Sequence, residues 1–211
     1  RSSAAAEVYK RPAYPQGTVT NSWKSYTLSM DRGVKFSLDR TDPNDTGFIV
    51  TAENVIREFA RNALVKEQDT YRINRLYALA NADTDHKATH IVSAALTKTN
   101  AIATVSGLLQ TVRDDAEEMD GYVALISHKH KTAFLEAANG TYHDISFGNA
   151  VAINGITYEN VMMLDDLPCI FVPQSRMKTA ITVQSGDSNS GGIVAGEGAK
   201  DISCLITHCE T

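Results

Sequence analysis

The residues of this chain best suited to chemistry are its six histidines, and they are densest at His128-Lys129-His130 with His143-Asp144 close behind. Two imidazoles and a carboxylate could hold a transition metal, and a metal-dependent hydrolase using His128, His130, His143 and Asp144 is the enzyme this pattern would make. The spacing works against it. Residues i and i+2 do not face one another on a helix, so His128 and His130 could share a metal only from an extended segment or a helix edge. Lys129 and Lys131 would also repel the cation. Solvated histidines at a helix start are the simpler reading.

Other candidates weaken in the same way. The stretch "DDAEEMD", Asp114 to Asp120, lacks the central glycine and terminal bidentate glutamate of a calcium loop and reads as a solvated helix end. "GGIVAGEG", Gly191 to Gly198, is glycine-rich, but no Lys-Ser or Lys-Thr pair follows it, so it reads as a loop and not a phosphate cradle. There is no GxSxG elbow. Cys169, beside Pro168 in an apolar run, has the setting of an inert buried thiol. No catalytic residue, metal ligand or cofactor is therefore assigned, and weight moves toward a structural protein.

The elements that would position such residues are legible from periodicity. "YTLSMDRGVKFSLDRTD", Tyr26 to Asp42, alternates with period two on both sides of Asp31-Arg32-Gly33, as a hairpin does. "DRTDPNDTG" is a turn cluster. From Thr46 to Ala80 there is no proline, and Ile49, Ala52, Ile56, Phe59 and Ala63 recur at helical spacing, which predicts the longest helix of the chain, with Ile56, Phe59 and Ala63 on its buried face. Such a helix would extend roughly 50 Å. Thr51 offers a second, later start, with Asn54 three residues on.

Beyond "NADTDHKA" the pattern alternates between helices and strands. Ile102, Val105, Leu108, Leu109 and Val112 share a face of a helix starting near Asn100. "YVALIS", Tyr122 to Ser127, is a buried strand, followed by a helix through Phe134 and Leu135 that stops at Asn139-Gly140. Short strands surround the turns at Asn154-Gly155 and Asp165-Asp166, and "KTAITVQSG" and "DISCLITHC" add two more. "SGDSNSGGIVAGEGAK" between them is a Gly/Ser loop.

At 211 residues and 43% hydrophobic the chain can bury a sizeable core. Its formal charge of -5 argues against a surface that grips phosphates, so no sequence-specific nucleic-acid binding is expected. No apolar run is long enough to cross a bilayer and no charged-then-apolar leader stands at the start, which suggests a soluble protein. Three cysteines without a CxxC pair give neither a disulfide framework nor a thiolate zinc site, as suits a reducing cytosol. The opening "RSSAAAEVYK" lacks methionine and suggests a fragment.

Four stretches, in order, carry a resemblance: "GTVTNSWKSYTLSMDRGVKFSLDRTDPNDTG", "VIREFARNALVKEQDTYRINRLYALA", "INGITYENVMMLDDLPCIFVPQSRMKT" and "GAKDISCLITH". Together they resemble the major capsid proteins of tailed bacteriophages and prophages, of the Hong Kong ninety-seven-like shell fold. The resemblance covers about Glu7 to Thr211. It implies an α+β fold in which residues 1-45 form an extended arm and hairpin, residues 46-85 a peripheral domain with a long spine helix, and residues 86-211 an axial domain of helices around a small mixed sheet. The strands that close the peripheral domain in relatives have no counterpart here. Lys66 stands where many relatives carry a proline, so this helix is expected to run straighter than theirs.

The function implied is that of a structural subunit of an icosahedral head, self-assembling into hexamers and pentamers to enclose double-stranded DNA. Its partners would be other copies of itself, with portal and scaffold proteins. Its place would be the virion, and the host cytoplasm during assembly. The hairpin would lie over a neighbouring subunit, with Val19, Trp23 and Tyr26 as the candidate contacts. A nanocompartment shell of the same fold, enclosing cargo protein instead of DNA, is the alternative that shares these features.

Overall fold

The computed structural model describes residues 33, 51-117, 120-137, 144-153, 155-184 and 192-209. Apart from Gly33, all of these belong to one compact unit, Thr41-Thr211. The hairpin of residues 26-42, Val19, Trp23, Tyr26, His143, the stop at Asn139-Gly140 and the first residues of the expected long helix lie outside the described residues.

A single helical run extends from Ala52 to Ala82, in the later of the two registers that the sequence offered. Helix α1 is Ala52–Phe59, and its N-cap Thr51 accepts a hydrogen bond from the Asn54 backbone N–H through its side chain. Helix α2 is Val65–Ala82. Between them Ala60–Leu64 winds as a π-turn, with the Val65 N–H reaching back five residues to the Ala60 carbonyl. This π-turn lies just before Lys66, the position on which the expectation of a straighter helix rests. At the α-helical rise the run measures roughly 45 Å.

The buried face of this run is not where periodicity put it. Ile56 is 60% exposed, Phe59 and Ala63 are half-buried, and the buried residues are Thr70 and Ile73, further along. An amphipathic stripe marks which residues seek cover, and the cover at residues 52-63 is not supplied by the described part of this chain.

A short helix, α3 (Lys87–His90), leads to α4 (Ala101–Ala116), which buries Ala101, Ile102, Val105 and Leu109. Three of the five expected face positions, Ile102, Val105 and Leu109, are buried there, and Leu108 and Val112 are half-buried at its margin. Helix α4 ends on Glu117 with φ 53°, a left-handed cap that glycine usually fills. Strand β1 (Tyr122–Ser127) is buried along almost its whole length and runs through a 3-10 turn, His128–His130, into α5 (Lys131–Ala137).

Strands β2 (Ile145–Ile153), β3 (Ile156–Leu164) and β4 (Leu167–Val172) follow as a meander. Gly155 at φ 78° and Asp165 at φ 54° sit in the two tight turns expected from Asn154-Gly155 and Asp165-Asp166. With β7 (Cys204–His208) they make a five-stranded mixed sheet in the order β2-β3-β4-β1-β7, in which only the β1-β4 pair is parallel. The Gly/Ser loop holds a strand that sequence reading missed. Strand β6 (Gly192–Ala195) pairs antiparallel with β5 (Ile181–Gln184), and Gly192 is buried against Glu67 of α2.

The sheet has two covered faces. Met162, Cys169, Ala124 and Ile206 form one row across β3, β4, β1 and β7, and with Leu164, Leu167 and Ile126 they pack against α4 and Phe134 of α5. The opposite face presents Leu125, Val172 and Leu205 to Ile73 and Tyr77 of α2, with Met177 and Ile202 filling the gap. The protein is α+β, with the long helix on one side of the sheet and two shorter helices on the other.

Candidate subunit interface

The segment Pro173 to Thr179 joins α2, the sheet and β7 through the side chains of Gln174, Arg176, Lys178 and Thr179. Gln174 accepts a hydrogen bond from the fully buried Ser127 hydroxyl and donates to the carbonyls of Met177 and Ile202 at 3.0 and 3.3 Å. Arg176 meets Asp69 of α2 at 2.7 Å. Asn74, one turn further along α2, donates to the Lys178 carbonyl at 3.2 Å. Lys178 pairs with Asp201, and the Thr179 hydroxyl accepts from the Lys200 N–H at 2.8 Å. These contacts, anchored on the buried Ser127 hydroxyl and otherwise part-buried or exposed, tie the long helix to the sheet. These long-range roles leave no local signal in the sequence.

Above this junction a cleft of about 740 Å³ opens between α2 and the free part of the sheet face. Its floor is apolar, with Leu125, Ile170 and Val172 from β1 and β4. One wall is α2, from Asp69 to Leu76, and the other is the tip of the β2-β3 hairpin at Ile153, Ile156 and Tyr158. Strand β4 pairs with β3 only from Met162 to Leu164, so the β2-β3 tip beyond is a two-stranded ribbon. Ile156 on it is 58% exposed. Register shifts between Ser146 and Val151 bend β2, which discourages another strand from pairing along that edge.

Apolar side chains left open to solvent continue along the long helix at Ile56, Leu64, Val65 and Leu79. Exposed apolar groups scattered singly are ordinary, but here several share one element that is itself poorly covered.

Of the metal-binding residues weighed in the sequence, the described ones, His128, His130 and Asp144, are drawn apart. His128 and His130 lie past the C-terminal end of β1, whereas the Asp144 N–H binds the Asp165 carboxylate near the other end of that strand. A strand of this length separates the two ends by roughly 17 Å. His128 instead stacks edge-on to Phe171 with ring centroids 6.3 Å apart, and Lys131 Nζ sits 5.5 Å from the same ring centroid. Burial, with the Lys129 charge beside it, holds the His130 ring below its ordinary value of 6.5. Among the described residues no three side chains of His, Cys, Asp or Glu gather as a metal site would require.

The thiols are equally quiet. Burial pushes Cys169 far above the usual thiol range and Cys204 up to about 12, where neither is a nucleophile. No helix among the described residues is long and apolar enough to cross a membrane. Set beside known proteins, the chain matches no family model, no curated protein and no solved structure.

Proposed function

We propose that this chain is a structural subunit of an icosahedral bacteriophage or prophage head, which acts by associating with copies of itself around double-stranded DNA. One observation carries the reading beyond the ordered resemblance of its sequence to such proteins. The long helix buries only Thr70 and Ile73 in its own chain and leaves Ile56, Leu64, Val65 and Leu79 open, as an element would that is completed by neighbours. Covering apolar surface at about 25 cal/mol per Å² makes such contacts the main driving force for assembly. The formal charge of -5 suits a wall that encloses nucleic acid without gripping it.

The test is sedimentation and electron microscopy of the full-length chain over a range of concentration and salt. Closed particles of uniform size are expected. Trp23→Ala should cut particle yield sharply while leaving subunit stability within about 1 kcal/mol. A chain that stays monomeric under all conditions would refute the proposal.

A further inference from the structure

We infer that the cleft between α2 and the β2-β3 tip receives helix α1 of a second copy of this chain, in a head-to-tail contact. This rests on the reading of the chain as a self-assembling subunit and names the surfaces that would mate. The cleft is an apolar trough of about 740 Å³, a size that accepts a few large side chains, as in the helix-in-groove mode of recognition. Its α2 wall carries Arg72 and Arg75 on adjacent turns of one face, both exposed and neither in an ion pair among the described residues, where Asp69 is taken by Arg176. The occupant should therefore be amphipathic and carry carboxylates.

Helix α1 has that chemistry. None of its residues is buried, Ile56 stands 60% exposed at its centre, and Glu53 and Glu58 flank the apolar stripe. Glu53 pairs with Arg57 and Glu58 with the Asn62 amide, but both are exposed i, i+4 contacts of the kind that yield readily to a better partner. A chain cannot fill its own cleft in this way. Ile56 and Ile73 lie on one helical run roughly 25 Å apart along its axis, so the helix and the cleft must come from different copies. Such a contact uses two different patches, and repeated use of it closes into a ring when the rotation allows.

The full chain tests this by sedimentation of assembled against free protein, with circular dichroism to verify folding. Ile56→Asp on the helix and Ile156→Asp on the cleft wall should each raise the concentration needed for assembly by roughly tenfold or more. Leu135→Asp, at an exposed leucine of α5 outside both surfaces, should leave it unchanged. Arg72→Glu with Arg75→Glu should weaken assembly, and adding Glu53→Lys with Glu58→Lys should restore it, because only a direct contact lets reversed charges compensate. If the unaltered chain assembles and the Ile56 and Ile156 variants assemble equally well, or if Leu135→Asp is as harmful as they are, this contact is wrong while the shell reading stands. If the unaltered chain never assembles, both fall.

Discussion

Arg176 and Asp69, far apart in the sequence, meet at 2.7 Å and tie the long helix to the turn that follows β4. Both side chains keep partial contact with solvent, so the pair is screened less than a fully exposed one and avoids most of the desolvation cost of a buried one. A double-mutant cycle of Arg176→Ala and Asp69→Ala, read by chemical denaturation, should give a coupling of roughly 0.5 to 1 kcal/mol. Strict additivity would mean that the helix is positioned by the Asn74 contact and packing alone.

Phe134 is wholly buried between α4, α5 and the sheet, whereas Ile56 stands in solvent on α1. Phe134→Ala should therefore cost about 3 to 5 kcal/mol, and Ile56→Ala in the isolated subunit less than about 1 kcal/mol. Denaturant midpoints of the two variants decide this, and a large loss at Ile56 would mean that its side chain is covered.

These two residues also show what the sequence could and could not tell. The Phe134 helix, the buried β1 and the turns at Gly155 and Asp165 were legible because a period of two or 3.6 and turn chemistry act locally. Ile56 was misread because periodicity reveals an apolar stripe without revealing whether the same chain covers it. Strand β6 was hidden because its glycines look like loop until β5 supplies the pairing. The tasks of Gln174 and Arg176 depend on Ile202 and Asp69, which only folding brings near. The π-turn at Ala60–Leu64 left no mark in the pattern, and nothing in the described packing accounts for it.

Two histidines should make stability respond to pH in opposite senses. The Asp83 carboxylate hydrogen-bonds His86 at 3.0 Å and raises its affinity for a proton, and the same bond holds Asp83 below its ordinary value of 3.8. The pair therefore stabilises between about pH 4 and 6.5, fades as pH rises through the raised His86 value, and fades again as pH falls through the lowered Asp83 value. His130, held down first by burial and then by Lys129, stabilises fully above 6.5 and loses that contribution as pH falls toward its lowered value. Ring-proton titration by NMR should place the His86 midpoint above 6.5 and that of His130 below it. The reverse order would show that neither environment is as described.

The last expectation concerns Gly121, which immediately precedes β1 with φ 85°, a conformation that side chains rarely adopt. A Cβ added there would lie 2.3 Å from Nε2 of His208, whose ring also packs edge-on to Tyr122 with centroids 5.5 Å apart. Tyr122 and His208 are direct cross-strand partners, and the Cys209 N–H donates to the Gly121 carbonyl at 2.7 Å, so this corner fastens β7 onto β1. Gly121→Ala should cost about 1 to 3 kcal/mol from backbone strain, with the His208 clash added. The two parts can be separated. In a His208→Ala background the ring is gone and only the strain remains, so the double variant should be more stable than the sum of the single losses by roughly 0.5 kcal/mol or more. Equal losses in both backgrounds would mean that His208 swings aside at no cost and that the positive φ alone requires glycine at this position.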